Sequence, residues 1–147
     1  MRLHHGILLC GLFFMLAGST AYARSTFHDL DVKQAAESET GKAKLLDVPF
    51  YMLGKKHPKT GRDLGEFKAN RRTNSFNKTD EKACQIAFLS AIISLQNRAR
   101  KMGADAVIDI KSITKHNDLE SATNYRCVAG NVVANVALTG RMVKFEK

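Results

Sequence analysis

The sequence predicts an α+β domain, one long helix packed on a small sheet, with elements in the order β-α-β-β-β. Three observations predict it. Between Thr79 and Met102, Phe88, Ile92, Leu95, Ala99 and Met102 recur at steps of four and three, which is the period of one helix face. Before and after this stretch, apolar residues alternate or run continuously over strand-length segments, the pattern of half-buried and fully covered strands. The chain of 147 residues is 44% hydrophobic and 25% charged. That composition suits one globular domain and excludes a fibre, a long disordered polymer and a multi-span membrane protein.

The first segment is read as targeting. Met1–Ala23 combines Arg2, His4 and His5 with the apolar run Gly6–Ala17 and ends Ala21-Tyr22-Ala23. A basic start, a short apolar stretch and an A-x-A site describe a signal peptide cleaved after Ala23. The run is shorter than the ~20 apolar residues that cross ~30 Å of hydrocarbon, so no membrane span is expected after cleavage. Lipidation at Cys10 would leave only Gly6–Leu9 as the apolar stretch and would place bulky Leu9 where a small residue belongs. The expected location is periplasmic or secreted. Residues 24–43 are polar without a sustained period and read as an N-terminal tail. A single domain is expected over 44–147.

Within that domain, Leu46, Val48, Phe50 and Met52 alternate in Lys44–Lys55. Pro49 cannot donate to a ladder, which favours an edge strand. Residues 55–78 read as a loop, punctuated by Pro58, Gly61, Gly65, Asn70 and Asn74. This loop holds a net charge of +6, most of the +8 left once Arg2 is removed from a chain of +9. The helix follows. Asn77 or Thr79 can cap it, Asp80 and Glu81 suit its positive end, and Arg98, Arg100 and Lys101 suit the other. Gly103 is placed to close it in the left-handed conformation. Strands follow at Ala104–Ile113, around Tyr125–Ala129 and at Val132–Val143. Ala106, Ile108 and Ile110 are expected opposite Val107, Asp109 and Lys111. Gly130-Asn131 is either a hairpin turn or a bend.

Three cysteines are an odd count. Removal of Cys10 with the signal leaves Cys84 and Cys127, and an even pair in an exported protein is normally a disulfide. The alternatives, two metal ligands or a nucleophile and its partner, lack the close ligand spacing or local signature such sites show. No metal, no cofactor and no catalytic residue are expected: phosphate-binding loops, nucleophile elbows and paired zinc histidines are missing from the sequence. Asn77-Lys78-Thr79 matches a glycosylation acceptor, with a helix cap as the competing role. The basic segment supplies candidate anion contacts, Lys55, Lys56, Arg62, Lys68, Arg71 and Arg72, which a merely solvated loop would also contain. Phe67 and Phe76 are able to stack on bases, but export makes lipid headgroups, lipopolysaccharide or an acidic protein better partners than nucleic acid.

The stretches Thr73–Lys78, Ala83-Cys84, Ala87–Ala91, Ser94–Arg100, Gly103–Ile110, Tyr125–Gly130 and Val136–Gly140 resemble a family of small exported bacterial proteins. Members often carry the label excinuclease ATPase subunit, which the export signal and the missing ATP-binding loop contradict here. The turn Met102-Gly103-Ala104 before Ala106-Val107-Ile108 is more distantly similar to YbjQ-like domains and to the Rcs envelope-stress sensor lipoprotein. That likeness is a hint of fold alone. The function expected is that of an exported, non-catalytic protein binding an anionic envelope component or an acidic protein. The alternative is a small metal- or ligand-binding domain, with or without oligomerisation.

Overall fold

The computed structural model describes residues 23–147, so the expected signal segment, apart from Ala23, and Cys10 lie outside the described residues. The elements are β1 (Thr26–Asp31), α1 (Val32–Glu37), α2 (Glu39–Lys44), β2 (Phe50–Met52), β3 (Thr60–Asn74), α3 (Asp80–Met102), β4 (Ala106–Ser112), a 3-10 turn at Thr114–His116, β5 (Asn124–Ala129) and β6 (Val133–Phe145). The class is α+β, one long helix on one sheet. The sheet has six strands, two more than the expected order contained.

Strand β6 organises the sheet. One of its edges pairs along its whole length with antiparallel β3, from Asn74↔Val133 to Thr60↔Phe145. The other edge is shared. β5 covers Ala134 and Asn135, and β4 covers Leu138 to Val143. Hydroxyl groups bridge the change of partner. The Thr114 Oγ1 accepts from the Ala137 N–H at 3.1 Å and donates to the Arg126 carbonyl at 2.9 Å, while the Arg126 N–H donates to Ser112 Oγ at 2.8 Å. These bonds satisfy backbone groups that would otherwise be buried without ladder partners. β1 adds antiparallel to β5, and β2 adds parallel to β4.

Helix α3 covers one face. Thr79 Oγ1 accepts the Lys82 N–H, and Gly103 ends the helix at φ 66° with the Ala104 N–H reaching Ala99 O at 2.9 Å. The buried face is wider than the expected stripe. Ala83, Ala87 and Ala91 join Cys84, Phe88, Ile92, Leu95 and Ala99, and these small side chains let the backbone approach the sheet. Opposite them stand Ala134, Val136, Leu138 and Met142 of β6 with Tyr125, Cys127 and Ala129 of β5. Phe88 stacks on Tyr125 with ring centroids 4.0 Å apart. Beside this pair, a disulfide joins Cys84 to Cys127.

Four expectations are corrected. Residues 24–43 are not a tail. β1 is a half-exposed strand, Asp31 caps α1, and Ser38 caps α2. Only Ala35 and Gly41 are buried in the two helices, too few to write a period. Gly41 is required there, because a Cβ would lie 2.4 Å from Ala36 O.

The strand expected over 44–55 is reduced to β2, at the sheet edge as Pro49 demands, because Leu46 and Val48 bond to the Gln96 side chain instead. The basic loop is mostly β3. Its ladder partner β6 is apolar and supplies the burial that β3's own polar sequence does not advertise.

The fourth correction concerns β4, which has a bulge. Asp109 takes φ 53°, so Val107 and Ile110 both face α3 while Ala106 and Ile108 pack with Val143 on the far side. Gly130-Asn131 belongs to a hairpin closed by the Gly130 N–H to Val133 O at 2.9 Å. Val132 lies in that turn rather than in the strand.

Candidate functional site

Strand β3 is an outer strand, paired only with β6, and α3 runs beside it. Alternation along β3 sends Phe67, Ala69 and Arg71 to the α3 side, in register with Gly140, Leu138 and Val136, while Lys68, Asn70 and Arg72 fall on the other. On α3, Ser94, Asn97, Arg98 and Lys101 recur at three, one and three residues, a polar stripe along the helix flank. Stripe and strand meet in a groove of about 590 Å³ bounded by Lys68, Arg71, Arg98 and Lys101, with no carboxylate among its lining residues.

Two of the guanidinium groups are positioned without being neutralised. Arg71 donates to Ser94 Oγ at 2.6 Å and to the Asn70 carbonyl at 3.0 Å. Arg98 lies over the Phe67 ring, 4.5 Å from its centroid, a cation–π arrangement that orders the side chain and leaves its charge available. Four other arginines differ, whereas Arg62 and Arg72 also have no ion-pair partner among the described residues. Arg24 pairs with Asp80, Arg100 with Asp47, Arg126 with Asp29 and Arg141 with Asp63. Their partners respond. Hydrogen bonds from Arg126 and from Arg100 lower Asp29 and Asp47, and the Gly65 N–H with Arg141 lowers Asp63. Asp80 falls to about 2, chiefly through the Arg24 guanidinium and further through His28. None of the four groove cations has an ion-pair partner among the described residues.

The structure divides the residues expected to contact anions. Arg71 and Lys68 line this groove. Lys68 and Arg72 line a second groove on the opposite sheet face. Lys55 and Lys56 follow β2 and Arg62 is the third residue of β3, and none of the three lines either groove. Arg98 and Lys101, read from sequence only as charges suiting a helix end, complete the first groove. The stripe Ser94-Asn97-Arg98-Lys101 was the available signal. The cysteines are wholly buried in their bridge. Among the described residues no three His, Cys, Asp or Glu side chains converge on a metal-sized site, and no helix is long and apolar enough to cross a membrane. No protein-family model, curated protein or solved structure matches the chain.

Proposed function

We propose that the protein is an exported, non-catalytic binding module that engages an anionic component of the cell envelope, or an acidic protein there, through the groove between β3 and α3. The observation that carries this reading is the convergence of Lys68, Arg71, Arg98 and Lys101 on one concave surface without a carboxylate. Four like charges held together repel one another, and protection of the β3 edge does not account for Arg98 and Lys101, which stand on α3. A bound anion relieves the repulsion and receives several charge-assisted hydrogen bonds. Arginine suits this role, because its planar fork matches phosphate and carboxylate oxygens. The buried disulfide accords with an oxidising compartment, where headgroups and lipopolysaccharide supply such anions.

The test is cosedimentation of the purified protein with vesicles of phosphatidylglycerol, with vesicles of phosphatidylcholine and with lipopolysaccharide across a salt series. Binding is expected to the anionic partners only. It should weaken steadily as the screening length contracts from ~10 Å at 0.1 M to ~3 Å at 1 M salt. Equal binding to phosphatidylcholine, or binding indifferent to salt, would overturn the reading.

A further inference from the structure

The sheet face turned away from α3 carries a wider groove of about 1050 Å³, at the upper end of the roughly 300–1,000 Å³ typical of small-molecule sites. Its floor is made by Val128 and Ala137, and its two sides differ in chemistry. Lys68 and Arg72 project from β3 on the same face, and Lys115 reaches in from the 3-10 turn. Lys68 and Arg72 have no ion-pair partner among the described residues, Lys115 has only Ser25 Oγ at 3.2 Å, and Asp118 is the one carboxylate among the lining residues.

The hairpin end of the groove is apolar and open. Val132 is 65% and Val133 43% exposed, and Phe27, directly across from Val128, is 41% exposed. The cationic and apolar parts are close. Arg72 faces Asn135, which faces Val128, so two strand spacings, roughly 10 Å, separate them.

Lys115 and His116 both hold left-handed backbone, at φ 49° and 57°. Consecutive residues of this kind without glycine are strained and cluster at functional sites. Here both Lys115 and His116 line the groove.

We propose that this groove binds a single-chain anionic amphiphile, a long-chain fatty acid, with its chain over Val128, Ala137 and the Val132–Val133 tip and its carboxylate among Lys68, Arg72 and Lys115. Charge complementarity selects this occupant. A second copy of a strongly basic chain would bring like charges together. A wholly polar anion would leave the open valines uncovered, and covering apolar surface is favourable at about 25 cal/mol per Å². This groove is on the sheet face away from the β3–α3 groove, and the two share only Lys68, which lines both.

Fluorescence titration of the purified protein with cis-parinaric acid, below its micelle-forming concentration, tests the proposal. Saturable one-to-one binding displaced by oleate is expected. Inorganic phosphate and zwitterionic lysophosphatidylcholine should displace it poorly. Arg72→Gln with Lys115→Gln should weaken binding about tenfold or more, the effect of losing one charge-assisted contact, while the thermal midpoint stays unchanged. Val132→Ser with Val133→Ser should weaken it independently. Arg71→Gln, Arg98→Gln and Lys101→Gln together should leave it intact, which separates this site from the other groove. No saturable binding, equal displacement by phosphate or by lysophosphatidylcholine, or an unchanged affinity in the Arg72–Lys115 variant would each overturn the proposal. So would self-association that blocks the groove.

Discussion

Gln96 is 1% exposed in the middle of α3's buried face, an unusual place for an amide. Its Oε1 accepts the Leu46 N–H at 3.0 Å, and its Nε2 donates to the carbonyls of Leu46 at 3.0 Å and Val48 at 2.8 Å. The side chain thus stands in for a neighbouring strand and fastens the segment before β2 to the helix. Gln96→Leu keeps the volume and removes three partners from the backbone. A typical hydrogen bond contributes about 0.5–1.5 kcal/mol net, and a group left buried and unpaired costs about 1–3 kcal/mol. The Leu46 groups are partly accessible to water and the Val48 carbonyl is not, so the loss should be about 2–4 kcal/mol. Urea unfolding followed by circular dichroism measures it, with an unchanged m-value showing that stability rather than the denatured state has altered. Gln96→Glu discriminates further. Its carboxylate still accepts from Leu46 but faces two carbonyls, so the variant should be weak at neutral pH and recover on acidification. A loss below about 0.5 kcal/mol, within the range of ordinary surface substitutions, would refute the reasoning.

Replacing Cys84 and Cys127 by Ala opens a loop of 43 residues, for which the chain-entropy model gives a loss of about 4 kcal/mol; denaturant unfolding of oxidised wild type and variant measures it. Gly140→Ala should cost about 1–3 kcal/mol through overpacking, since the new Cβ would lie 2.8 Å from Val107 Cγ1 and 3.1 Å from Ile110 Cγ1; the thermal midpoint reports it. Asp80 is lowered from 3.8 to about 2 by Arg24 and His28. A carboxyl depressed in the fold contributes stability that is complete above its unfolded value and lost as the pH falls toward 2. Asp80→Asn should therefore flatten the acid limb of stability between about pH 5 and 2, and an acid titration of the unfolding midpoint would show whether it does.

Helix α3 was legible in the sequence to its caps, because a long amphipathic period, Thr79 and Gly103 all agree. The disulfide was legible from the cysteine count on the expectation that Cys10 leaves with a signal peptide. The first strand and the two short helices were not. They bury so few side chains that no period appears, and the helix starts are fixed by the Asp31 carboxylate and the Ser38 hydroxyl rather than by hydrophobicity.

β3 was hidden for a related reason. As an outer strand it needs apolar residues only where it meets α3, at Leu64, Phe67 and Ala69, and its lysines and arginines protect an edge that would otherwise recruit other strands. The positive φ at Asp109, which splits β4 between two faces, has only a weak signature, in that aspartate enters the left-handed region more readily than most residues. Arg71 was identified as a candidate contact, but its groove partners are on a helix whose charges serve equally well to complement a dipole. Only the packing of α3 along β3 distinguishes the two roles.

The central claim is that the β3–α3 groove, rather than the net charge of the protein, attracts anions. Two charge-matched variants test it directly: Arg71→Gln with Arg98→Gln and Lys101→Gln in the groove, and Lys55→Gln with Lys56→Gln and Arg62→Gln outside it. Their affinities for phosphatidylglycerol vesicles are compared at one low salt concentration. The groove variant should lose about tenfold or more, corresponding to at least about 1.4 kcal/mol, and the outer variant should stay within about twofold of wild type. Equal losses in the two variants would contradict the claim and reduce the groove to one part of a uniformly basic surface.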